Sequence, residues 1–308
     1  MFGFQNVGNT CFLNSVLQCM FKLKALNAVL DEKQVEATTP EQVFYKEFND
    51  LRLLVKGGNC MVQPRRFVQA VRDLAAHRKN ADFSDNRQND AAEFALFLID
   101  CLHDAMKGAR PALPVAETVG TVAEDVERKC QLLMNERYKN DYSEMVQLFC
   151  GIHLSVIADE VKMRAVLAEP FMTLEVPVKA NLLECLKAYS EESDLDWTDE
   201  SSKTQIRCKQ KIIIHQLPPI LIINLKRFGQ GKKNNAVVDI PLSFSISSEL
   251  GGQHTYELSS VCNHLGSLNG GHYTAQVKIN DAWTLVDDDA FAPSANFSNA
   301  YCLFYERV

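Results

Sequence analysis

The sequence predicts an α+β protein, with helices first and an antiparallel sheet after them. Two observations predict it. Up to about residue 145, apolar residues recur at helical spacing. From about residue 146 the chain turns to short β-branched and aromatic runs bounded by turn residues. A third observation bounds the size: 308 residues, 46% of them hydrophobic, can fill one large core or two intimate ones.

In the first helix Phe12, Leu13, Val16, Leu17, Met20 and Phe21 form one apolar face. A second helix covers 41–55 and stops at Gly57-Gly58. Pro64 opens a third, PRRFVQAVRDLAAH, because proline is tolerated in a first turn. Residues 90–106 form a fourth, strongly apolar on one side, and 121–137 a fifth. The Gly-, Pro- and Ala-rich stretch 108–120 reads as a loop. The strands are IIIHQ, ILIINLKRF, AVVDIPLSF, HTYELSSV, HYTAQVKI, AWTLVD and AYCLFYERV. The acidic stretch 190–203 reads as a loop or hairpin tip. GQGKKNNA (229–236) and NHLGSLNGG (263–271) read as mobile links between strands. There is no internal repeat.

Composition excludes several classes. A net charge of -7 gives no general attraction to nucleic acid or anionic lipid. No run of about 18 apolar residues is present to cross a membrane, and the N-terminus has no secretory pattern. Ten cysteines lie without framework spacing and without a CxxC pair. That argues against a zinc ribbon and for reduced thiols in a cytoplasmic or nuclear setting. All but about one should be core fillers.

The exception is Cys11. Gly8-Asn9-Thr10 supplies a turn and an N-cap side chain, and Cys11 falls at the first helical position. Free N–H groups and the helix dipole favour a thiolate there. A buried core cysteine carries equal weight on this stretch alone. A nucleophile also needs a base, and the base an orienting group. His272 stands in GGHYTAQVKINDAWTLVDDD, where Asn280-Asp281 makes a two-residue hairpin turn. Ile279 then faces Ala282, and counting back puts Thr274 opposite Asp287 and His272 opposite Asp289. His272, Asp287 and Asp289 share a face, and Asp288 points the other way. A one-residue slip would exchange Asp287 for Asp288. His103, His215 and His254 have no acid suggested by local geometry. His264 competes, but Gly270-Gly271 beside His272 is what close approach to a ligand needs.

Five stretches together resemble one family. GFQNVGNTCFLNSVLQCM (3–20) is similar to the cysteine box of the ubiquitin-specific proteases, which are papain-like deubiquitinases. RQNDAAEFALFLIDCL (87–102), LPPILIINLKRF (217–228), YELSSVCNHLGSLNGGHYTAQVK (256–278) with WTLVDDDAF (283–291), and AYCLFY (300–305) resemble further family motifs, in family order. The resemblance implies a papain-like fold shaped as a hand: one catalytic domain over 1–308, with a mainly helical thumb in 1–145. The fingers and the start of the palm fall in 146–228, and the rest of the palm in 229–308. It implies that Cys11 is the nucleophile, His272 the base, Asp287 the orienting acid and Asn6 the oxyanion donor, with Asp288 a second supporting acid. Asp90, Glu93, Gly271 and Tyr273 would line the path of the ubiquitin tail, where carboxylates can meet the tail's arginines; a helix-stabilising charge is an equal reading of Glu93. The two glycine-bearing stretches match the loops that border this path. The implied activity is a thiol isopeptidase acting after the C-terminal Gly-Gly of ubiquitin, with no cofactor, working as a monomer on ubiquitin and ubiquitinated proteins. A ubiquitin-binding module of low activity, or a protease for another ubiquitin-like protein, is the alternative. One departure stands out. The family's zinc-binding CxxC pairs correspond here to Asp159 and Lys162, and to Asp199 and Ser202, which cannot form a thiolate tetrahedron. Cys150 and Cys208 lie nearby without forming a set, so no metal is expected.

Overall fold

The first elements are β1 (Phe2–Phe4), α1 (Cys11–Met20), α2 (Lys24–Glu32), α3 (Pro40–Lys56), β2 (Cys60–Val62), α4 (Arg65–His77), α5 (Ala91–Met106), α6 (Val122–Tyr138) and α7 (Glu144–Phe149). Strands β3 (Gly151–Ala158), β4 (Met163–Phe171) and β5 (Thr173–Pro177) follow, then α8 (Leu182–Tyr189), β6 (Ser193–Thr198), β7 (Gln205–Gln216) and β8 (Ile220–Lys226). The rest is strand: β9 (Phe228–Gly229), β10 (Lys232–Lys233), β11 (Ser243–Ser248), β12 (Gly252–Ser267), β13 (Gly270–Ile279), β14 (Ala282–Asp287), β15 (Ala290–Pro293) and β16 (Ala300–Arg307). The structure is a computed structural model, and it describes residues 1–198, 203–229, 231–248, 252–267 and 270–308.

Among the described residues the large sheet has the order β15-β14-β13-β12-β16-β8-β5, with β11 pairing β12. All its pairings are antiparallel except β5 with β8. Strand β8 reads as a continuous apolar run because it is covered on both faces. Ile220 and Ile222 join the core shared with the helices, while Leu221, Ile223 and Leu225 join a second core under α8. Helix α1 is buried along its whole length, between the sheet and the other helices. Phenylalanines lock it in: Phe12 meets Phe94 of α5 edge-on at 5.3 Å, and Phe83 lies 4.8 Å from Phe97.

A four-stranded sheet of order β4-β3-β7-β6 projects from this body. One face is covered by α6, through Val126 and Cys130 against Ile152, Leu154, Val166 and Ala168. At its tip Asp159 Oδ1 accepts from the N–H groups of Val161 and Lys162, both at 2.8 Å, and Oδ2 accepts from Arg164 Nε at 2.7 Å. A carboxylate turn with a guanidinium fork therefore occupies the Asp159–Lys162 position that the resemblance had aligned with a zinc-binding pair. Cys150 sits at the sheet's base, buried with Tyr138 and Val146. Cys208 is buried on β7 opposite Leu195, so the two form no set. Asp199 and Ser202 lie outside the described residues.

Several expectations are corrected. AVVDIPLSF is not one strand. Pro241 has no N–H for a ladder, and Arg227 Nη1 binds the carbonyls of Asn234 and Ala236, holding 234–240 as irregular chain. Strands β1 to β6, β10 and β15 and helices α2, α7 and α8 were not read from the sequence, and β6, paired with β7, lies within the stretch 190–203 that was read as a loop or hairpin tip. The stretches read as mobile links are mostly paired: Phe228–Gly229 with Lys232–Lys233, and β12 with β13 up to Ser267↔Gly270. Gln230, Leu268 and Asn269 within them lie outside the described residues.

Hydrogen bonds from the tip amides and from Arg164 hold the Asp159 carboxyl down to about 2. Its folded pKa is depressed, so its contribution to stability is complete above about pH 4 and is lost as pH falls through about 2. A zinc chelator should leave the melting temperature unchanged, and Asp159→Ala should speed amide exchange at Val161 and Lys162 by about tenfold or more. A chelator-induced fall in melting temperature would contradict this account of the tip.

Candidate active site

The site forms where the N-terminus of α1 is pressed against β13 and the turn after β14. Gly8 (φ 115°) and Asn9 (φ 53°) make the reversal before the helix. Thr10 is the N-cap residue, but its hydroxyl does not cap. It accepts from Val7 N–H at 3.1 Å and donates to Asn6 Oδ1 at 3.3 Å. The expectation of a capping side chain is thus corrected: the Thr10 hydroxyl does not take up the N–H groups of the first turn. Those of Cys11 and Phe12 face the Cys11 sulfur, and so does the N–H of Tyr273, the residue after His272. Sequence ends 262 residues apart therefore meet at one sulfur atom.

The hairpin behaves as counted from the sequence. Asn280 and Asp281 both adopt left-handed φ, at 48° and 62°, and Ile279 pairs with Ala282. His272 Nε2 lies 2.5 Å from Asp287 Oδ1. The ladder ends at Ala275↔Val286, because Asp288-Asp289 is itself the two-residue turn between β14 and β15. So Asp289 does not oppose His272. Asp288, at φ 53°, leaves the strand alternation and does not point away. Its carboxylate, that of Asp287 and the His272 ring each offer a ligand atom within 4.8 Å of the others. Those acids have protein partners: Asp288 Oδ2 accepts from Asn6 Nδ2 at 3.1 Å and Oδ1 from Asn14 Nδ2 at 2.7 Å. A second cluster, His103, Asp104 and Asp141, is likewise engaged, its two acids by Lys107. Asp288 is thus held by two amide donors, and Asp104 and Asp141 by one lysine.

Burial raises the Cys11 thiol above its ordinary pKa. The Asp288 charge adds to this, and the backbone N–H of Tyr273 opposes it without cancelling it. Cys11 is only 3% exposed. Among the described residues no hydrogen bond joins it to His272. The expected helix-start thiolate is corrected accordingly: without substrate, desolvation outweighs the dipole.

Beside Tyr273 a groove of about 420 Å³ runs between α5 and the β12–β13 hairpin. It is lined by Asp82, Asp90 and Glu93 on one side and by Gly270, Gly271 and Tyr273 on the other. Gln88 Nε2 reaches across to the Gly271 carbonyl at 3.2 Å. A larger hollow, about 630 Å³, shares Asp82 and Glu93 and continues to Phe171 and Met172 at the base of the four-stranded sheet.

The expected tail-contacting residues divide. Asp90 lines the groove, but its oxygens are taken: Oδ1 caps α5 through Ala92 N–H (2.7 Å) and Glu93 N–H (3.1 Å), and Oδ2 accepts from Tyr273 (3.2 Å) and Tyr301 (2.7 Å). It positions the helix and the hairpin rather than offering a free charge. Glu93 is exposed. Burial, then Asp90, Asp82 and Glu175, raise its carboxyl above the usual range. Gly271 is required by the protein's own packing: a Cβ there would lie 2.1 Å from His264 Nε2, whereas at Gly270 it would meet open space. Tyr273 contributes its backbone to the sulfur and its buried ring to the wall. His264 sits among Phe228, Tyr273 and Tyr301, and burial drives its pKa down to about 4. Sequence reasoning missed Gln88, Asn14, Asp82 and Tyr301. Gln88, Asn14 and Tyr301 stood inside the quoted motifs, but their contacts with Gly271, Asp288 and Asp90 join distant parts of the chain.

A family model described as ubiquitin carboxyl-terminal hydrolase matches residues 2–305. The chain belongs to the ubiquitin carboxyl-terminal hydrolase family. It is 31% identical over 99% of its length to ubiquitin carboxyl-terminal hydrolase 4 of the yeast Vanderwaltozyma polyspora, and covers 41% of that protein. It is 27% identical to rat ubiquitin carboxyl-terminal hydrolase 2 and 28% to human ubiquitin carboxyl-terminal hydrolase 21, again over 99% of the chain, covering 53% and 61% of them. The chain thus spans about half the length of these relatives. Among solved structures, the yeast SAGA deubiquitinating module Ubp8/Sgf11/Sus1/Sgf73 bound to ubiquitin aldehyde matches with a TM-score of 0.73 at 21% identity. That match covers 99% of this chain and 69% of the other. The same module bound to monoubiquitin matches at 0.72 and 20%. These matches establish the α+β, papain-like fold of a hand with helical thumb, β palm and β fingers.

In the substrate-free protein, alkylation of Cys11 by iodoacetamide should rise through an apparent pKa above that of a free thiol. A midpoint below it would mean a resting thiolate and contradict the electrostatics described here.

Proposed function

We propose that the chain is a deubiquitinating thiol isopeptidase that cuts after the C-terminal Gly-Gly of ubiquitin. The observation that supports it is that the N–H of Tyr273, the residue after His272 of the His272–Asp287 pair, faces the Cys11 sulfur, with an acid-lined groove beside Tyr273. Asp287 holds His272 Nε2, so Nδ1 is the nitrogen left to take the thiol proton. The thiolate attacks the terminal glycine carbonyl. The oxyanion is met by the Cys11 N–H and by the Asn6 amide, whose second N–H is not used by Asp288. His272 then protonates the departing lysine amine, leaving a thioester. It next takes a proton from water, whose hydroxide displaces the sulfur and frees the ubiquitin carboxylate.

Substrate choice follows from the walls. Gln88, Gly271 and the His264 aromatic box leave little room, so a tail without side chains is admitted. Further out, Asp82 and Glu93 add negative charge suited to the arginines of a ubiquitin tail. The fingers and the larger hollow face the body of ubiquitin. Among the described residues no helix is long and apolar enough to cross a membrane. All ten cysteines are free thiols, which supports a reducing cytoplasmic or nuclear setting.

Ubiquitin with a C-terminal fluorogenic amide should be hydrolysed, and Cys11→Ala should lower turnover by about 10⁴-fold or more. Glu93→Gln should raise KM about three- to tenfold with kcat kept. KM of the unsubstituted chain should also rise as pH falls and Glu93 takes its proton. Tight binding without turnover would support the binding-module reading, and preference for another ubiquitin-like tail the third reading.

A further inference from the structure

Asn14 is three residues beyond Cys11, on the same side of α1. It is 1% exposed. Its Nδ2 donates to Asp288 Oδ1 at 2.7 Å and to the Phe4 carbonyl at 3.2 Å. Its Oδ1 is buried without a hydrogen-bond partner among the described residues. Both neighbours of Nδ2 are acceptors, so the amide cannot be flipped. An aliphatic side chain would avoid the orphaned oxygen, so the donor is what the site requires. Asp288 also carries a cost, since its charge opposes ionisation of Cys11. Its other oxygen holds Asn6 Nδ2, and its backbone carbonyl accepts from Phe4 N–H at 3.0 Å. Asn6 Oδ1 is meanwhile fixed by the N–H groups of Gly8 (3.1 Å) and Thr10 (3.2 Å). Asn14, Asp288 and Asn6 thus form one line of hydrogen bonds that ends where the oxyanion would develop.

We propose that Asn14 is a positioning residue of the oxyanion site: through Asp288 it holds the Asn6 carboxamide in the orientation that receives negative charge. The inference rests on the hydrolase reading. Asn14 touches no substrate and acts only through the carboxylate. Two amide donors on Asp288 also spread its charge away from the sulfur, and that lets a carboxylate sit beside a nucleophilic thiol.

The test compares the unsubstituted chain with Asn14→Ala, Asp288→Ala and the double variant. Two rates are measured: hydrolysis of ubiquitin with a C-terminal fluorogenic amide, and labelling by ubiquitin with a C-terminal alkyne, whose reaction with a thiolate makes no oxyanion. Asn14→Ala should lower kcat about tenfold or more, leave KM within about twofold and leave labelling nearly unchanged. In the Asp288→Ala background it should have almost no further effect on kcat. Losses that multiply in the double variant, or labelling that slows in step with hydrolysis, would overturn the inference. If Asn14→Ala does not fold, Asn14→Leu, which fills the space and leaves no orphaned acceptor, carries the same comparison. An unsubstituted chain that turns over no ubiquitin substrate contradicts the hydrolase reading itself, so the two failures are read from different samples.

Discussion

The site depends on one constraint: helix α1 is buried along its whole length, so its first turn has one place to go. The phenylalanines of α1, α3, α4 and α5 hold it from the thumb side. The palm holds it from the other, where Ser15 and Cys262 touch across the interface at 3.3 Å. With the helix fixed, the Tyr273 N–H meets the Cys11 sulfur and the turn after β14 meets Asn14. A small rotation of α1 would break both contacts at once. Close packing that resists such movement is what turns a buried helix into a precise support for chemistry.

The same burial opposes ionisation of the nucleophile. Three backbone donors at the sulfur do not offset desolvation and the neighbouring Asp288. The resting site is therefore held in shape but not charged. On the proposed function, a diglycine tail entering the groove would displace Gln88 from Gly271 and bring imidazole and thiol into hydrogen-bond reach. Selectivity and activation would then arise from one event, because only a tail that fits the groove would supply it.

Much of this was legible in the sequence where the physics is local. Period-two alternation and a two-residue turn at Asn280-Asp281 put Asp287 beside His272, and the helical periodicities located α1, α3, α4, α5 and α6. Asn181 followed by Glu184 is a capping signal for α8 that could have been read, since Asn181 does cap Glu184 N–H at 2.9 Å. Other features depend on partners far along the chain. Gly271 is glycine because His264 fills the space beside it, and no spacing rule anticipates that. Asp288 was assigned to the wrong face because alternation was carried one residue past the strand, into a left-handed turn. Asp90 was read only as a residue of the tail path; its four donors come from two neighbours in sequence and two tyrosines more than 180 residues away.

The most direct measurement is a crystal structure of this chain joined through Cys11 to the terminal glycine of ubiquitin. The account places His272 Nδ1 within about 3.5 Å of the Cys11 sulfur and the glycine carbonyl oxygen on the Cys11 N–H and Asn6 Nδ2. His272 turned away from the sulfur, or a carbonyl oxygen that meets neither donor, would contradict it.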